Sequence, residues 1–585
     1  MIKIPGSKSY VQTNRSDTLG NLWSTSNVDI QSNVGVMRVS PRLKVVTSST
    51  DDADMGIPVA FRPFGSKYFA IAGTRVFANT KGQPESAYTE DASTSADTDY
   101  AVGSDMEVFS AVLCATTTDH LLSLDTATGG TWTDRIALTT GVSHPLAYLK
   151  KFDRLYVASN TRAILSMNNA FTAATLGADY TITVANSGPT ISCMEATSSY
   201  IWIGMMGDSG RRGSIYQWDG ISPQITKEYK LDAFGCVALV IDNDIPYAMD
   251  TNGALLKFTG SSFMEIGRLP VPNGKMLKNA TSTTNTRFIH PNGLTVTKEG
   301  TILALINNEN YDNGVTINEN LPSGIWEWSE DNGFIHRYSF TYNPVAGSTI
   351  TDFGQNRISD AGAIAIIDDP DPADASRNGT IVAGAKYYTN SSSTASAIFI
   401  DDSNDTVRKA GYFVTTKIAS QNVQDYWNQL YAKHRRMLNS TDKIVLKYRT
   451  QELASPTSIS ITWVNTTSFT TTTDVSSMVG REVEVLQGTG SGLCAHITAV
   501  SGSGTYTVTI DETATGVTTG TALARVQAWT KLPAISNQTK DFAKLPINTD
   551  SNWIQLKCYM LWTGKNELEE LLLTNKSPST GVQLQ

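Results

Sequence analysis

The stretch Gly213-Ser-Ile-Tyr-Gln-Trp-Asp-Gly220 alternates apolar and polar residues, carries a tryptophan and ends in a turn-forming Asp-Gly pair. Similar stretches occur at 253–260 (GALLKFTG) and 324–330 (GIWEWSE), and looser versions at 121–125, 163–168 and 397–401. Alternation with a period of two, followed by turn residues, is typical of a short, half-buried β-strand. We therefore expect these stretches to be one strand of a β unit that is repeated along most of the chain.

The spacing of the repeats indicates a propeller. Between Leu124 and Phe399 the successive marker strands lie 40 to 71 residues apart. Four-stranded blades repeat every 40–50 residues or so, and the longer intervals contain inserted segments at 307–322 and 368–374. One blade cannot bury both faces of its sheet, so a closed ring of blades is the stable arrangement. We predict an all-β chain with a β-propeller of about seven blades, with six or eight as the nearest counts. A long β-sandwich array or a β-helix is the alternative.

The regions outside the repeats have different patterns. Residues 1–50 form a polar, extended N-terminal arm, and the propeller occupies residues 51–418. Residues 419–440 carry apolar side chains at helical spacing, which predicts one short connecting helix. That apolar stripe consists of Val423, Trp427, Leu430, His434 and Met437.

The C-terminal region is predicted to be a β-sandwich with a small β-barrel inserted into it. Two strands with clear alternation, 443–449 and 553–562, resemble partners in one sheet although about a hundred residues separate them. Short strands with Gly-rich turns lie between them, at the even spacing that small barrels show. We assign residues 441–462 and 532–585 to the sandwich and 463–531 to the inserted barrel.

Charge is unevenly distributed along the chain. The formal net charge of −9 argues against nonspecific nucleic-acid binding by the chain as a whole. Residues 1–46 hold six cations and two carboxylates, a net charge of +4, which leaves −13 for the rest. A basic arm on an acidic body indicates docking onto an acidic neighbour, with a solvated tail as the alternative. Such an arm cannot order alone, so either the body or neighbouring chains must hold it.

The cysteine pattern and the N-terminus indicate a cytoplasmic origin. The five cysteines are dispersed and form no Cys-x-x-Cys pair: Cys114, Cys193, Cys236, Cys494 and Cys558. Free thiols in a reducing cytosol fit this pattern better than a disulfide framework or a zinc cluster. The sequence has no apolar core of a signal peptide after Met1 and no apolar run of about 18 residues. We expect a soluble protein without a membrane anchor.

No catalytic or metal-binding set can be selected from the sequence. The six histidines are dispersed, no phosphate-binding P-loop occurs, and the partial Asp box from Ser123 to Trp132 has the wrong spacing. A retaining glycosidase needs two carboxylates about 5 Å apart, but the acidic residues lie mostly in turns. Segments 250–253 and 308–314 resemble parts of calcium loops, and Asx turns explain them equally well. We predict no catalytic, cofactor-binding or metal-binding residues and no cofactor.

Parts of the C-terminal region resemble proteins of tailed bacteriophages. Segments 480–488 (GREVEVLQG), 492–498 (GLCAHIT), 506–512 (YTVTIDE) and 526–531 (VQAWTK) are similar to small β-barrel inserts in phage virion proteins. The strand 553–562, followed by Glu567-Leu-Glu-Glu-Leu-Leu-Leu573, is similar to the closing strands of sandwich domains in phage tail proteins. A propeller behind a polar arm resembles the propeller-type components of phage tails. The resemblance implies an assembled particle component and not an enzyme.

The expected function is therefore that of a structural tail protein, such as a tail nozzle or tail-tip protein, located in the virion and made in the host cytoplasm. Its expected partners are other virion tail proteins and copies of itself in a homo-oligomeric ring, with passive contact to any DNA that passes through a tail channel. The residues selected as protein contacts are Arg38, Arg42 and Lys44 in the arm and Arg211 and Arg212 in the Gly-rich loop 207–213. A solvated loop is the alternative for the last two.

Two other functions remain open at this point. The first alternative is binding or cleavage of glycans on a host surface, with Trp202 and Trp326 as stacking platforms unless they belong to blade cores. The second is a cellular propeller scaffold, which the barrel insert disfavours.

Overall fold

A computed structural model gives the fold and describes residues 2–4, 22–26, 28–29, 38–40, 42–46, 55–81, 86–91, 102–109, 111–124, 132–168, 180–184, 188–208, 211–269, 289–307, 323–330, 333–338, 358–367, 379–388, 394–402, 408–415, 417–419, 425–437, 439, 442–451, 458–490, 493–514, 517, 519–536, 540–563 and 567–576. In these ranges, the helical segments are two 3-10 turns, Lys150–Phe152 and Ser476–Met478. None of the described helices is long and apolar enough to cross a bilayer. The all-β prediction is confirmed.

The N-terminal arm contributes five short strands. These are β1 (Ile2–Ile4), β2 (Leu22–Ser26), β3 (Val28–Asp29), β4 (Arg38–Val39) and β5 (Arg42–Val45). Strands β3 and β4 pair with each other as a hairpin. The other three pair with distant parts of the chain, so the body of the same chain holds the arm.

Strands β6 to β32 form six complete four-stranded antiparallel sheets and three strands of a seventh. The first three blades are β6 (Pro58–Phe64), β7 (Lys67–Ala72), β8 (Arg75–Thr80), β9 (Thr89–Glu90); β10 (Gly103–Phe109), β11 (Val112–Thr117), β12 (His120–Leu124), β13 (Thr133–Ala137); and β14 (Leu146–Leu149), β15 (Arg154–Ala158), β16 (Ala163–Asn168), β17 (Tyr180–Thr183). Blades four to seven are β18 (Thr190–Ala196), β19 (Ile201–Met206), β20 (Ser214–Trp218), β21 (Lys227–Lys230); β22 (Cys236–Asp242), β23 (Ile245–Asp250), β24 (Ala254–Phe258), β25 (Phe263–Arg268); β26 (Leu294–Val296), β27 (Ile302–Ile306), β28 (Gly324–Ser329), β29 (Gly333–Tyr338); and β30 (Ile358–Ile367), β31 (Thr380–Tyr388), β32 (Thr394–Asp402).

The arm closes the propeller. Strand β5 pairs antiparallel with β32, with Val45 opposite Phe399 and Arg42 opposite Asp402, and so becomes the outermost strand of blade seven. The first strands of neighbouring blades contact one another around the ring, and β30 of blade seven contacts β6 of blade one. Among the described residues the ring is complete with seven blades, which confirms the predicted count.

Each pair of neighbouring blades shares a hydrophobic core of its own. Trp218, at the end of the stretch 213–220, is 0% exposed and packs edge-on against Tyr156 of blade three, with ring centroids 5.3 Å apart. The Tyr156 hydroxyl donates to the backbone oxygen of Gly220 at 2.9 Å. Gly220 has a φ of +83°, and a Cβ there would lie 2.7 Å from that hydroxyl, so the turn requires glycine. The repeated strand is therefore a blade-to-blade packing element.

Thirteen further strands form the C-terminal region: β33 (Arg408–Thr415), β34 (Ile418–Ala419), β35 (Asp425–His434), β36 (Lys443–Arg449), β37 (Ser458–Asn465), β38 (Ser468–Thr471), β39 (Arg481–Gly488), β40 (Cys494–Ser501), β41 (Tyr506–Ile510), β42 (Gly520–Lys531), β43 (Phe542–Ser551), β44 (Trp553–Thr563) and β45 (Leu568–Lys576). One sandwich sheet has the order β1-β45-β35-β43, and the other begins β2-β33-β44-β36. A single core lies between the two sheets. The arm therefore supplies an edge strand to each sheet.

The inserted barrel is closed and shares a strand with the sandwich. Its strand order is β37-β38-β41-β40-β39, and β42 pairs with both β37 and β39 to close it. The last residues of β42 also pair with β36, with Lys531 opposite Lys447. The barrel has its own core, which includes Trp463 and Phe469. The predicted sandwich with an inserted barrel is thus confirmed as an architecture, and its second sheet continues into the barrel wall.

The predicted connecting helix at 419–440 is wrong. Residues 425–434 form β35, which pairs with β43 and β45 in the middle of a sandwich sheet. The register shifts between Trp427 and Gln429, so the buried positions Trp427 and Leu430 lie three residues apart. A β-bulge adds one residue to the strand. The buried residues on either side of the bulge are therefore three positions apart, which is the spacing of a helical turn. Beyond the bulge, Leu430, Ala432 and His434 are buried at the expected spacing of two.

The propeller and the sandwich are packed together through the arm. Val28 and Val39 of the β3–β4 hairpin lie in the same cluster as Ile335 of blade six and Phe413 of the sandwich. Val28 is 0% exposed. Strand β33, within the range assigned to the propeller, pairs with β44 and so lies in the sandwich. The β3–β4 hairpin therefore packs between the propeller and the sandwich and contacts both.

Candidate functional site

The three arm residues selected as protein contacts all lie on strands. Arg38 is in β4 opposite Asp29 of β3, and Arg42 is in β5 opposite Asp402. Lys44 lies two residues further along β5, and its side chain is half-buried. The backbone of this basic segment is engaged within the chain, where it completes blade seven.

Arg211 and Arg212, the other two selected residues, line a groove on blade four. The groove has a volume of about 800 Å³ and opens beside β20 and β21. Both arginines are exposed, and Tyr216 and Lys230 lie next to them in the wall. We name this surface the blade-four groove. It is lined by residues from three segments, 184–189, 211–216 and 228–232.

The loop that carries the two arginines is fixed by backbone contacts. The Arg211 amide donates to the Asp208 oxygen at 3.1 Å, and the Gly213 amide donates to the Ala233 oxygen at 3.1 Å. A Cβ on Gly213 would lie 2.3 Å from the Cα of Gly235, so the two backbones touch at a point where only glycine fits. The loop thus holds a defined position at the groove.

The blade-four groove presents cations that are weakly held. The Nη1 atom of Arg212 lies 2.6 Å from Oδ1 of Asp232, but their side chains are 69% and 100% exposed. Such exposed pairs contribute about 0–1 kcal/mol. Within the described residues, Arg211 and Lys230 have no ion-pair partner, and both are exposed. Glu228 and Asp232 also line the groove, so its lining carries charges of both signs, three cations and two carboxylates.

A second charged cluster lines the central channel of the propeller. Arg62, Glu107 and Glu195 lie on the innermost strands of blades one, two and four. Nη2 of Arg62 lies 3.2 Å from Oε2 of Glu107, and the two side chains remain 26% and 22% exposed. Burial raises the pKa of Glu195 to about 8, the charges of Glu107 and Asp105 add to this, and Arg62 opposes it. Glu195 therefore keeps its proton at neutral pH.

One end of the channel is crossed by Asn292, which precedes blade six. Its Nδ2 donates to the Val59 oxygen of blade one at 2.9 Å and to Oδ1 of Asp105 of blade two at 2.8 Å. Its backbone oxygen accepts from the Ile364 amide of blade seven at 2.9 Å. Burial raises the pKa of Asp105, although Arg62 and these hydrogen bonds oppose the shift. Asn292 therefore links blades one, two and seven at this point of the ring.

A buried ion cluster anchors the barrel to the sandwich. Glu482 of the barrel contacts the ammonium of Lys447 directly, and Lys557 lies 3.6 Å from its Oε1. The side chains of Glu482, Lys447 and Lys557 are 0%, 1% and 7% exposed. The Tyr559 ring faces both ammoniums at 4.4 and 4.9 Å. Burial alone would raise the pKa of Glu482, but the two lysines outweigh it and hold that pKa well below its usual range.

The residues considered for glycan stacking or calcium binding lie in surroundings that fit a structural role. Trp202 and Trp326 are 2% and 0% exposed inside blade cores, so neither offers a stacking face to a glycan. Oδ1 of Asp250 accepts from the amides of Asn252 and Ala254 at 2.8 Å each, as in an Asx turn. Segment 308–314 lies outside the described residues. Among the residues that the structure describes, no group of three His, Cys, Asp or Glu is arranged to hold a metal ion.

Four of the five cysteines are buried: Cys114, Cys193, Cys236 and Cys558. Burial raises the pKa of Cys236 and of Cys558, so both stay protonated. The Sγ atoms of Cys193 and Cys236 lie 3.8 Å apart between blades four and five. Buried, protonated thiols are poor nucleophiles, and these act as small apolar side chains.

The comparisons with known proteins concern the fold alone. No protein-family model matches the chain, and no curated protein matches its sequence. A streptogramin B lyase structure is similar with a TM-score of 0.41 and 11% identity, over 62% of this chain and 98% of that chain. A virginiamycin B lyase from Staphylococcus aureus has a TM-score of 0.40 and 11% identity, over 61% and 98%. Raptor from Chaetomium thermophilum has a TM-score of 0.36 and 12% identity, over 62% and 30%.

These likenesses carry no argument about activity. The identities are 10 to 12%, and the TM-scores are below 0.5. The expectation that this chain is not an enzyme stays a prediction. The assignment as a seven-bladed propeller rests on the sheets and the inter-blade cores of this chain.

Proposed function

We propose that this protein is a structural component of a tailed-phage particle, such as a tail nozzle or tail-tip protein, that acts by protein–protein assembly. The observation that carries the proposal is the way in which the chain joins its modules. Arm strands complete blade seven and both sandwich sheets, and the β3–β4 hairpin packs between propeller and sandwich. A body joined at several points has no free hinge, which suits a component that keeps its shape under mechanical load.

Two further features support this proposal. The barrel resembles inserts of phage virion proteins, and the buried cluster around Glu482 fixes its attachment to the sandwich. Buried ion pairs add little to stability but can fix one arrangement of the groups that they join. The cations of the blade-four groove are directed outward, where a partner protein can contact them.

Under this proposal the protein lies in the virion tail after synthesis in the host cytoplasm. Its partners are other tail proteins and further copies of this chain, and DNA contact is limited to passage through a conduit that several copies form. Contacts with neighbours and not a chemical reaction constitute its function, so no enzymatic activity and no cofactor are proposed.

The direct test is to inactivate the gene in the phage that encodes it and to examine the particles. We expect purified wild-type particles to contain the chain in a fixed copy number by quantitative mass spectrometry, and mutant particles to lack tails or to lose DNA. A chain absent from purified particles, with normal particles formed by the mutant, would refute the proposal. Reintroducing the wild-type gene is the control for effects on neighbouring genes.

A further inference from the structure

The innermost strands of blades four and five bring two cysteines into contact. Cys193 lies in β18, and Cys236 is the first residue of β22. Their Sγ atoms are 3.8 Å apart, and the two residues are 2% and 0% exposed. Each cysteine lies beside a β-bulge of its strand, and a bulge redirects the neighbouring side chains. The two sulfurs therefore meet inside the core that the two blades share.

We propose that Cys193 and Cys236 form a reversible disulfide that joins blades four and five when the protein meets a peroxide oxidant. The bond lies within one chain, so it does not depend on the proposed function. A sulfur–sulfur bond is about 2.05 Å long, so the Sγ atoms have to approach from their separation of 3.8 Å. Rotation about the Cα–Cβ bonds of the two cysteines moves the sulfurs without breaking a strand pairing.

Gly204 provides the space in which the two sulfurs meet. It lies in β19, directly opposite Cys193 in the strand pairing. A Cβ at this position would lie 2.4 Å from Sγ of Cys193 and 3.0 Å from Sγ of Cys236. Glycine inside a strand weakens the strand and often marks a close approach of other groups. Here the missing side chain leaves the room that both sulfurs occupy.

The backbones that carry the two cysteines are also held together. The Ser192 hydroxyl lies 2.6 Å from the backbone oxygen of Cys236 and 2.9 Å from that of Gly204, where it is a hydrogen-bond donor. Ser192 is 6% exposed, so this contact lies inside the inter-blade core. Groups that the fold already holds in contact react with a much smaller loss of entropy than free groups do. The fold therefore favours this pairing over other pairs of cysteines.

Formation of the bond removes two electrons and two protons from the thiols, and hydrogen peroxide accepts them. Sγ of one cysteine attacks a peroxide oxygen, becomes a sulfenic acid and releases one water. Sγ of the other cysteine then attacks that sulfur, so the disulfide forms and a second water leaves. Burial slows both steps, because the thiolate is the reactive form. In a reducing cytosol the pair stays reduced, and the bond forms during prolonged contact with peroxide.

The test treats the reduced full-length protein with hydrogen peroxide and then denatures it in an alkylating agent that blocks the remaining thiols. Trypsin places Cys193 and Cys236 on different peptides, 163–211 and 231–257. We expect mass spectrometry to find these two peptides linked, and reduction to separate them. Met264 is 56% exposed, and its conversion to the sulfoxide shows that the oxidant has acted. Cys558, buried in the sandwich core, is the matched cysteine and should be recovered as an alkylated thiol.

A variant and a second measurement complete the test. Cys193→Ala removes one of the two sulfurs, so we expect peptide 231–257 to be recovered alkylated after the same treatment. Circular dichroism shows whether the variant is folded. In the linked wild type we expect the amides of β18 and β22 to exchange about thirtyfold more slowly than in the reduced protein, because the bond restricts the opened chain.

Two results would overturn the inference. One is complete oxidation of Met264 while Cys193 and Cys236 are both still recovered as alkylated thiols. The other is a linked protein in which the amides of β18 and β22 exchange faster than in the reduced protein, since the bond would then distort the contact between the blades. The proposed function is judged separately, because the presence of the chain in purified particles does not require the bond.

Discussion

Replacement of Glu482 is the sharpest test of how the barrel is attached. Glu482 is fully buried between the ammoniums of Lys447 and Lys557, which are themselves 1% and 7% exposed. The variant Glu482→Gln keeps the size of the side chain but leaves two buried positive charges without their carboxylate. Breaking a buried ion pair from one side costs about 3–5 kcal/mol. We expect a loss of this size in the free energy that holds the barrel against the sandwich.

The cost should be local, and hydrogen exchange can show this. We expect the amides of β39 and of the last residues of β42 to exchange roughly a hundredfold faster or more in Glu482→Gln. Each 1.4 kcal/mol lost from the free energy of local opening speeds exchange by a factor of about ten. Amides of the propeller should be unchanged. The double replacement Lys447→Met with Lys557→Met in the Glu482→Gln background should recover part of the loss, because the uncompensated charges are gone.

A matched control variant at an exposed ion pair shows how much of the stability loss is due to burial of the charges. Glu265 pairs with Arg268 on the propeller surface, and the two side chains are 43% and 44% exposed. We expect Glu265→Gln to change stability by less than about 0.5 kcal/mol. A Glu482→Gln variant that loses no more than this control would show that the ion cluster does not anchor the barrel.

Other predictions concern the strand that closes the ring, the β3–β4 hairpin between propeller and sandwich, the core between blades three and four, and the central channel. Leu43→Ala should cost about 2–5 kcal/mol locally, since Leu43 of β5 is 2% exposed; faster exchange of the 399–402 amides checks this. Val28→Asp should open the propeller–sandwich junction to limited proteolysis, because an unpaired charge would be buried. Trp218→Ala should cost about 3–5 kcal/mol, measured by urea unfolding. With Glu195 titrating at about 8 instead of 4.5, wild-type stability should fall as pH rises between these values, and Glu195→Gln should be more stable at pH 9 by roughly 1–3 kcal/mol.

The propeller could be predicted from the sequence because its inner strands are apolar and alternate. The buried faces of strands such as β19 and β28 leave a clear pattern. The outer strands leave no such pattern in the sequence because they are exposed. Strand β21, for example, reads Lys-Glu-Tyr-Lys and has a single buried residue. An edge strand of this kind needs charge to resist unwanted pairing, and this charge hides the alternation.

The closing strand β5 could not be found from its pattern. It is four residues long and lies more than 350 residues from its partner β32. Local alternation carries no information on such a pairing, which is fixed by the shared core of Leu43 and Phe399. The basic character of the arm was visible, but its role in closing the ring was not.

The candidate surfaces were predictable in part. Arg211 and Arg212 stood out because glycines flank them, and the structure places both at one groove. The ion cluster at Glu482 was missed because Lys447 and Lys557 occur in strands that otherwise alternate normally. Both lysines lie on the face of their strand opposite to the sandwich core, where alternation predicts exposure, so the sequence held no signal that they are buried. The channel residues Arg62 and Glu195 come from different blades, so only the ring brings them together.

The most direct measurement of the central claim is a cryo-electron-microscopy map of the purified particle in which single strands are resolved. The account predicts repeated copies of a seven-bladed disc with the sandwich and barrel attached at one side, in contact with other tail proteins. A tail map into which this body does not fit at any position would contradict the account.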